Sequence, residues 1–243
     1  MERYELTPIG ISGDFNPSGN KTSHYMIING TMYLFDVPYS TVDWFMGKNG
    51  HEAMANVDNV AIFITSLKES RIGGLKALMD ILVSIDINHT TYFPKEIWMK
   101  GQNYIEITGG ILSEFHMMRG DFYQDANVQI FDRRIDFDGI IPAFAYVIYG
   151  GDLFISETGT NWSVYYAPDN RIFMDDATLA SFIAEPREKT IYHGVTYDVD
   201  NSDICYKDRM IKSVPRELRG HVYPINISDN KDIKKLRNQG FNV

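Results

Sequence analysis

The chain has 243 residues, enough for one large domain or two small ones and for a sizeable buried core. Its 44% hydrophobic and 23% charged content is that of an ordinary globular chain, and a net charge of −9 argues against non-specific nucleic-acid binding, which needs a basic face. A single cysteine, Cys205, excludes an internal disulfide framework and a thiolate zinc cluster, and no apolar run approaches the ~20 residues of a membrane span. A reducing, cytoplasmic setting is therefore expected, the more so because Met1–Glu5 lacks the basic and apolar regions of a signal peptide. The 13% aromatic share suits a β-rich core or an interface, and a homodimer is expected on that ground among others.

In chain order, Tyr4–Ile11 and Ser23–Ile28 read as strands. Asn29-Gly30 before Met32–Phe35 is a two-residue hairpin signal. Val60–Thr65 is a continuous apolar run, as in a strand buried on both faces. The spacing of Ile72, Leu75, Leu78, Met79 and Leu82 predicts a helix over Ile72–Val83. Thr91–Phe93 reads as a strand and Pro94–Gly101 as a short helix. Ile105–Ile107, Glu114–Met118 and Val128–Phe131 alternate like antiparallel strands. Ala143–Tyr149 and Leu153–Ser156 suggest a second hairpin around Gly150-Gly151-Asp152. Asp176–Glu185 reads as a helix with Asp175 or Asp176 as N-cap. Thr190–Tyr192 and Val222–Ile227 read as strands, and Pro215–Leu218 as a helix start. Asp232–Gln239 is a last helix closed by Gly240. Strands at both ends with helices between them suit layered α/β architecture in one domain, residues 1–243.

The most informative segment is Ile64–Leu75. Thr65 opens it and Gly74-Leu75 closes it, in a frame that resembles the metal-binding segment T-H-x-H-x-D-H-x-x-G-L of the metallo-β-lactamase fold. The three histidine positions hold Ser66, Lys68 and Arg71, and the aspartate position holds Ser70. The resemblance continues along the chain. Leu6–Gly10, Gly13–Phe15 and Asn20–Tyr25 are similar to the start of the branch that contains tRNA 3′-processing nucleases and cyclic-nucleotide phosphodiesterases. Leu34-Phe35-Asp36 resembles its L-I-D-x-G strand and keeps the aspartate as Asp36. Gly139–Tyr146 resembles H-x-x-P-x-F-G-Y with Gly139 in place of the histidine. Ser156-Glu157-Thr158 resembles S-G-D-T with Glu157 at the bridging aspartate. Tyr192–Thr196 resembles a phosphodiesterase strand that carries His193, and Val222–Asp229 resembles the last strand with Asn226 at the histidine position.

The resemblance implies an αββα sandwich of two mixed sheets flanked by helices. It also implies a hydrolytic activity that these residues no longer support. Activating water on two metal ions needs imidazole and carboxylate ligands, and those positions now hold Ser66, Lys68, Ser70, Arg71, Gly139 and Asn226. No catalytic residue, metal or cofactor is therefore expected. Two readings of the site stay open. Lys68 and Arg71 could grip the phosphate of a nucleotide, with Ser66, Ser70, Asp36, Glu157, His193 and Asn226 around it. Alternatively, Arg71 pairs with Glu157 or Asp36 and plugs a dead cavity. The expected function is thus binding without catalysis, of a nucleotide or cyclic-nucleotide signal or of a protein partner. A rigid structural block, or a hydrolase rebuilt on Glu157, His193 or Asp198, are the alternatives. Members of the branch occur in bacteriophages, where some degrade cyclic-nucleotide immune signals, and the Asn- and Tyr-rich chain is compatible with that origin.

Overall fold

The structure, a computed structural model, describes residues 5–12, 19–110, 115–135, 142–150, 162–169, 177–185, 188–196, 205–227 and 230–243. Its contacts group into two compact units, Leu6–Ile11 with Ser18–Asp121, and Phe122–Val243 with two short N-terminal pieces.

The first unit holds a six-stranded mixed sheet in sequential order: β1 (Thr7–Gly10), β2 (Ser23–Ile28), β3 (Thr31–Phe35), β4 (Asn59–Phe63), β5 (Asn88–Phe93) and β6 (Phe115–Met117). β1–β2–β3 run antiparallel and β3–β4–β5–β6 parallel. Asn29 and Gly30 turn the β2–β3 hairpin with φ of 48° and 76°, the left-handed pair that a two-residue turn requires. Helices α1 (Tyr39–Met46), α2 (Lys48–Met54), α3 (Glu69–Ile72), α4 (Leu75–Ser84) and α5 (Trp98–Ile107) fill the connections. Parallel strands need such crossovers. α4 buries Leu75, Leu78, Met79 and Leu82, one face at helical spacing. Phe35, Phe63 and Tyr92 lie side by side across β3, β4 and β5, with ring centroids 5.4 and 5.1 Å apart.

Four sequence expectations change here. The helix expected over Ile72–Val83 is two helices, because Gly73 and Gly74 interrupt it and the Gly74 N–H bonds the Val37 carbonyl at 2.8 Å. Ile105–Ile107 is the end of α5, not a strand. Gly101 and Ile105 are its buried stripe one turn apart, while Ile107 is exposed. The helix expected at Pro94–Gly101 starts at Trp98. β6 pairs parallel with β5, not antiparallel, since α5 brings the chain back in the same direction.

The second unit holds a seven-stranded mixed sheet. Its strands are β7 (Phe122–Gln124), β8 (Val128–Ile135), β9 (Ala143–Gly150), β10 (Trp162–Ala167), β11 (Glu188–Thr196), β12 (Cys205–Tyr206) and β13 (Val222–Ile225). β7 to β10 are antiparallel neighbours in sequence order. β11 is parallel to β10, to β12 and to β13. Helices α6 (Ala177–Ala184), α7 (Lys207–Ser213) and α8 (Asn230–Asn238) and a 3₁₀ turn, Arg216–His221, complete it. Pro215 precedes that turn, and Gly240 after α8 has φ 93° and bonds the Arg237 carbonyl at 3.0 Å, as its position in the sequence suggests. Tyr146, Tyr165, Tyr166 and Tyr192 are fully enclosed. The described partner of β9 beyond β8 is β10; the expected strand Leu153–Ser156 and the N-cap positions Asp175 and Asp176 lie outside the described residues. No helix among the described residues is long and apolar enough to cross a membrane.

Candidate functional site

The segment with the metal-binding frame leaves β4 and forms a node around Asp36. Asp36 directly follows β3 with φ 63°, a left-handed conformation that Asp tolerates better than most residues. Its backbone is fixed on both sides: its N–H bonds the Phe63 carbonyl at 2.9 Å, and its carbonyl accepts the Ser23 hydroxyl at 2.8 Å. The carboxylate therefore has one orientation, towards Thr65. The Thr65 N–H reaches Oδ1 at 2.8 Å, and the Thr65 hydroxyl lies 2.9 and 2.8 Å from Oδ1 and Oδ2.

Arg71 completes the node. Its Nε is 3.7 Å from Asp36 Oδ2, and both side chains have no exposed surface. The backbone also holds Arg71 in place. Its N–H bonds the Lys68 carbonyl at 2.8 Å, and its carbonyl accepts the Val37 N–H at 2.6 Å. His24, on β2 next to Phe35, is buried as well. Burial first, and then the Arg71 charge, lowers its pKa to about 3, so the imidazole is neutral at any ordinary pH. A positive guanidinium, a negative carboxylate and a neutral imidazole thus share one enclosed region.

The other residues of the segment are placed around this pair. Ser66 is buried just beyond β4. Lys68 is half-buried at the start of α3, and its N–H lies 3.4 Å from Ser66 Oγ. Ser70 Oγ is enclosed and has no hydrogen-bond partner among the described residues. The structure therefore brings together Asp36, Ser66, Lys68, Ser70 and Arg71, and adds Thr65 as the anchor of the carboxylate and His24 as a neutral neighbour. Neither role was read from the sequence. The pairing of β2 with the Asp36 strand, which was legible, is the signal that could have placed His24 there.

In the second unit, His193 on β11 is buried, with Nδ1 2.8 Å from the Gly194 carbonyl. Asn226 follows β13, paired beside β11, and has φ 63°. It is buried, its Nδ2 donates to the Pro168 carbonyl at 3.2 Å, and its Oδ1 has no partner among the described residues. Glu157, Asp198 and Gly139 lie outside the described residues.

This donor set does not fit a two-metal centre. At the ligand positions stand a guanidinium, an ammonium and two hydroxyls, and the cation of Arg71 occupies the space beside Asp36 where a dication would be repelled. Among the described residues no three His, Cys, Asp or Glu side chains are grouped as metal ligands would be.

No protein-family model and no curated protein matches the chain. Solved structures do. The chain is similar to the metallo-β-lactamase fold protein YhfI from Bacillus subtilis, with a TM-score of 0.68 and 11% identity over 96% of this chain and 90% of that one. It is similar to the short form of human tRNase Z, with a TM-score of 0.65 and 12% identity over 93% of each chain. A diphosphatase of the PhnP family matches with a TM-score of 0.66 and 12% identity over 92% of this chain and 85% of that one. The fold is therefore the αββα metallo-β-lactamase fold, with two mixed sheets and flanking helices. At these identities the likeness concerns the fold alone.

Proposed function

We propose that this chain acts by binding, without hydrolysis, and that the former metal segment now serves as a buried strut. The observation that carries this reading is the Arg71–Asp36 pair. Both groups are enclosed at 3.7 Å, and the N–H and hydroxyl of Thr65 hold the carboxylate. A guanidinium held in this way would have to abandon a buried carboxylate to close on a phosphate, which costs more than a phosphate contact returns. The reading favours a rigid block that meets a protein partner through its outer surface, a second copy of the chain included. The coverage of whole relatives of the same fold supports treating residues 1–243 as one domain.

A second reading keeps the nucleotide at the segment and rests on Lys68, which remains half-buried where the family holds a metal ligand. A thermal-shift screen against cyclic and linear nucleotides separates the two, since a ligand at 100 times its Kd adds ~2.7 kcal/mol. The strut reading expects Lys68→Ala to leave every response unchanged. A nucleotide whose stabilising effect disappears in Lys68→Ala would move the assignment to an anion site. The rebuilt-hydrolase alternative, with Glu157, His193 or Asp198, is checked by incubating the protein with the same nucleotides and looking for product.

A further inference from the structure

The second sheet carries a cavity that takes no part in the strut. Residues opposite one another in the β8–β9 ladder share a face, so Phe131 with Val147, Arg133 with Ala145 and Gln129 with Tyr149 look the same way. α6 lies over part of this face, with Phe182 against Tyr165 of β10 at 5.8 Å. Towards β8 the helix leaves a cavity of about 410 Å³, floored by Phe131, Val147 and Tyr149 and walled by Ala177, Ser181 and Glu185. That size lies within the range of small-molecule sites.

The lining has two parts. One is an aromatic shelf. Phe122 stacks on Phe131 at 5.7 Å, and Phe131 meets Tyr149 edge-on at 5.8 Å. The other is positive charge at the rim. Arg133 is exposed, with its guanidinium 5.7 Å from the Phe131 ring centre. Among the described residues its one hydrogen bond runs from Nη1 to the Asp132 carbonyl at 3.1 Å, and no described carboxylate lies within ion-pair distance. Four of its five N–H donors are thus available. Glu185 does not cancel this charge. Its Oε1 accepts the Tyr149 hydroxyl at 2.9 Å, and the Lys189 ammonium sits at the same end of α6, donating to the carbonyls of Phe182 at 3.2 Å and of Ile183 and Glu185. Two cations face one carboxylate here, in a chain whose net charge is −9.

We propose that this cavity binds a planar aromatic ring that carries an anionic group, the ring on the Phe131 shelf and the anion on Arg133. Stacking and a guanidinium fork are each modest alone and select together for a molecule that has both parts. A nucleoside monophosphate and an aromatic carboxylate both meet this description. The site is independent of the Arg71–Asp36 strut and does not depend on that reading.

Calorimetric titration of the full chain tests the proposal, with adenosine 5′-monophosphate, indole-3-carboxylate, adenosine and inorganic phosphate as probes. At least one ring-bearing anion is expected to bind, with adenosine and phosphate weaker by about tenfold or more. If only the monophosphate binds, the natural ligand class is a nucleotide; if only the carboxylate binds, it is an aromatic acid. Arg133→Gln should weaken binding about tenfold or more, as expected for the loss of one charge-assisted contact. Ser181→Trp, made at an exposed helix position, should fill the cavity and abolish binding. Lys68→Ala should change nothing, which keeps this result separate from the test of the former metal segment. No binding of either ring-bearing anion at millimolar concentration would overturn the proposal. So would adenosine binding as well as its phosphate, or binding that survives both Arg133→Gln and Ser181→Trp.

Discussion

Replacing Arg71 by methionine keeps most of the side-chain stem and removes the charge. It isolates the electrostatic part of the strut from the cost of an empty cavity. The pair has no exposed surface on either side, so solvent screening does not soften the loss. Breaking a buried ion pair costs about 3–5 kcal/mol, because the remaining charge is left in a medium that cannot solvate it. Asp36 keeps the N–H and hydroxyl of Thr65 after the change, which places the expected loss at the lower end, about 3 kcal/mol. For a chain of this length that is roughly 6–12 °C in Tm. Asp36→Asn is the reciprocal change; it preserves the side-chain shape and tolerates the φ of 63°. It should cost a similar amount, because Arg71 is then the stranded charge. The double variant Asp36→Asn with Arg71→Met has no stranded charge and should be more stable than the sum of the single changes by about 2 kcal/mol or more. Urea titrations of the four proteins measure the cycle. A loss below about 1 kcal/mol for Arg71→Met, with no coupling to Asp36→Asn, would refute the strut.

Three further outcomes follow from the same geometry. His24 is neutral when folded, with a pKa of about 3 against 6.5 when exposed, so the unfolded chain takes up the proton first. The stability that His24 contributes should therefore be complete above pH 6.5, fall by up to about 1.4 kcal/mol per pH unit towards pH 3 and level off below it. His24→Gln should flatten that slope in urea titrations run across the same range. Gly74→Ala should destabilise by about 1–3 kcal/mol in thermal melts, since a Cβ there would lie 2.6 Å from the Pro38 carbonyl oxygen and 2.8 Å from Val42 Cγ2. Asn226→Ala should cost more than Asn226→Gly by about 1 kcal/mol, although both lose the bond to Pro168, because only alanine resists a φ of 63°; equal losses would show that the backbone conformation is unimportant.

Local patterns with one physical solution were legible. Asn29-Gly30 admits little besides a tight hairpin, and the run from Val60 to Phe63 can only be an interior strand of a parallel sheet once helices flank it. What misled was alternation over three residues. Ile105, Glu106 and Ile107 alternate like a strand, yet α5 had already started at Trp98 and carried them into its last turn. Short strands such as β7 and β12 have too few residues for any period to show. β10, by contrast, is buried along its whole length and carries no alternation at all. In the site, a carboxylate partner for Arg71 was legible only as a choice between Glu157 and Asp36; the structure pairs it with Asp36, and Glu157 lies outside the described residues. Enclosure of Arg71 was one of two open readings, because a cation after a strand serves a ligand or a buried carboxylate equally well until the group opposite it is seen.

The glycines of the Ile64–Leu75 segment and its polar side chains obey different constraints. Gly73 and Gly74 are fixed by backbone. A Cβ on Gly73 would lie 2.7 Å from the Glu69 carbonyl oxygen, and one on Gly74 2.6 Å from that of Pro38. The Val37 N–H and carbonyl are satisfied by Arg71 and Gly74, so this turn closes the β3 end against α3 and α4 whatever the side chains do. Thr65 is fixed by Asp36 through both its N–H and its hydroxyl. These contacts are made by the backbone, Thr65 and Asp36, independently of the side chains of Ser66, Lys68 and Ser70. The side chains of Ser66, Lys68 and Ser70 answer to no such backbone demand. Asp36 is the link between the two sets. Its left-handed backbone and its bonds to Thr65 keep a buried carboxylate in place, and without a neighbouring positive charge that carboxylate would destabilise the sheet it terminates. Arg71 supplies that charge from within the chain. A buried aspartate in this position needs a resident cation near Oδ2, and a substitution that removes the charge of Arg71 should cost less when combined with one that neutralises Asp36.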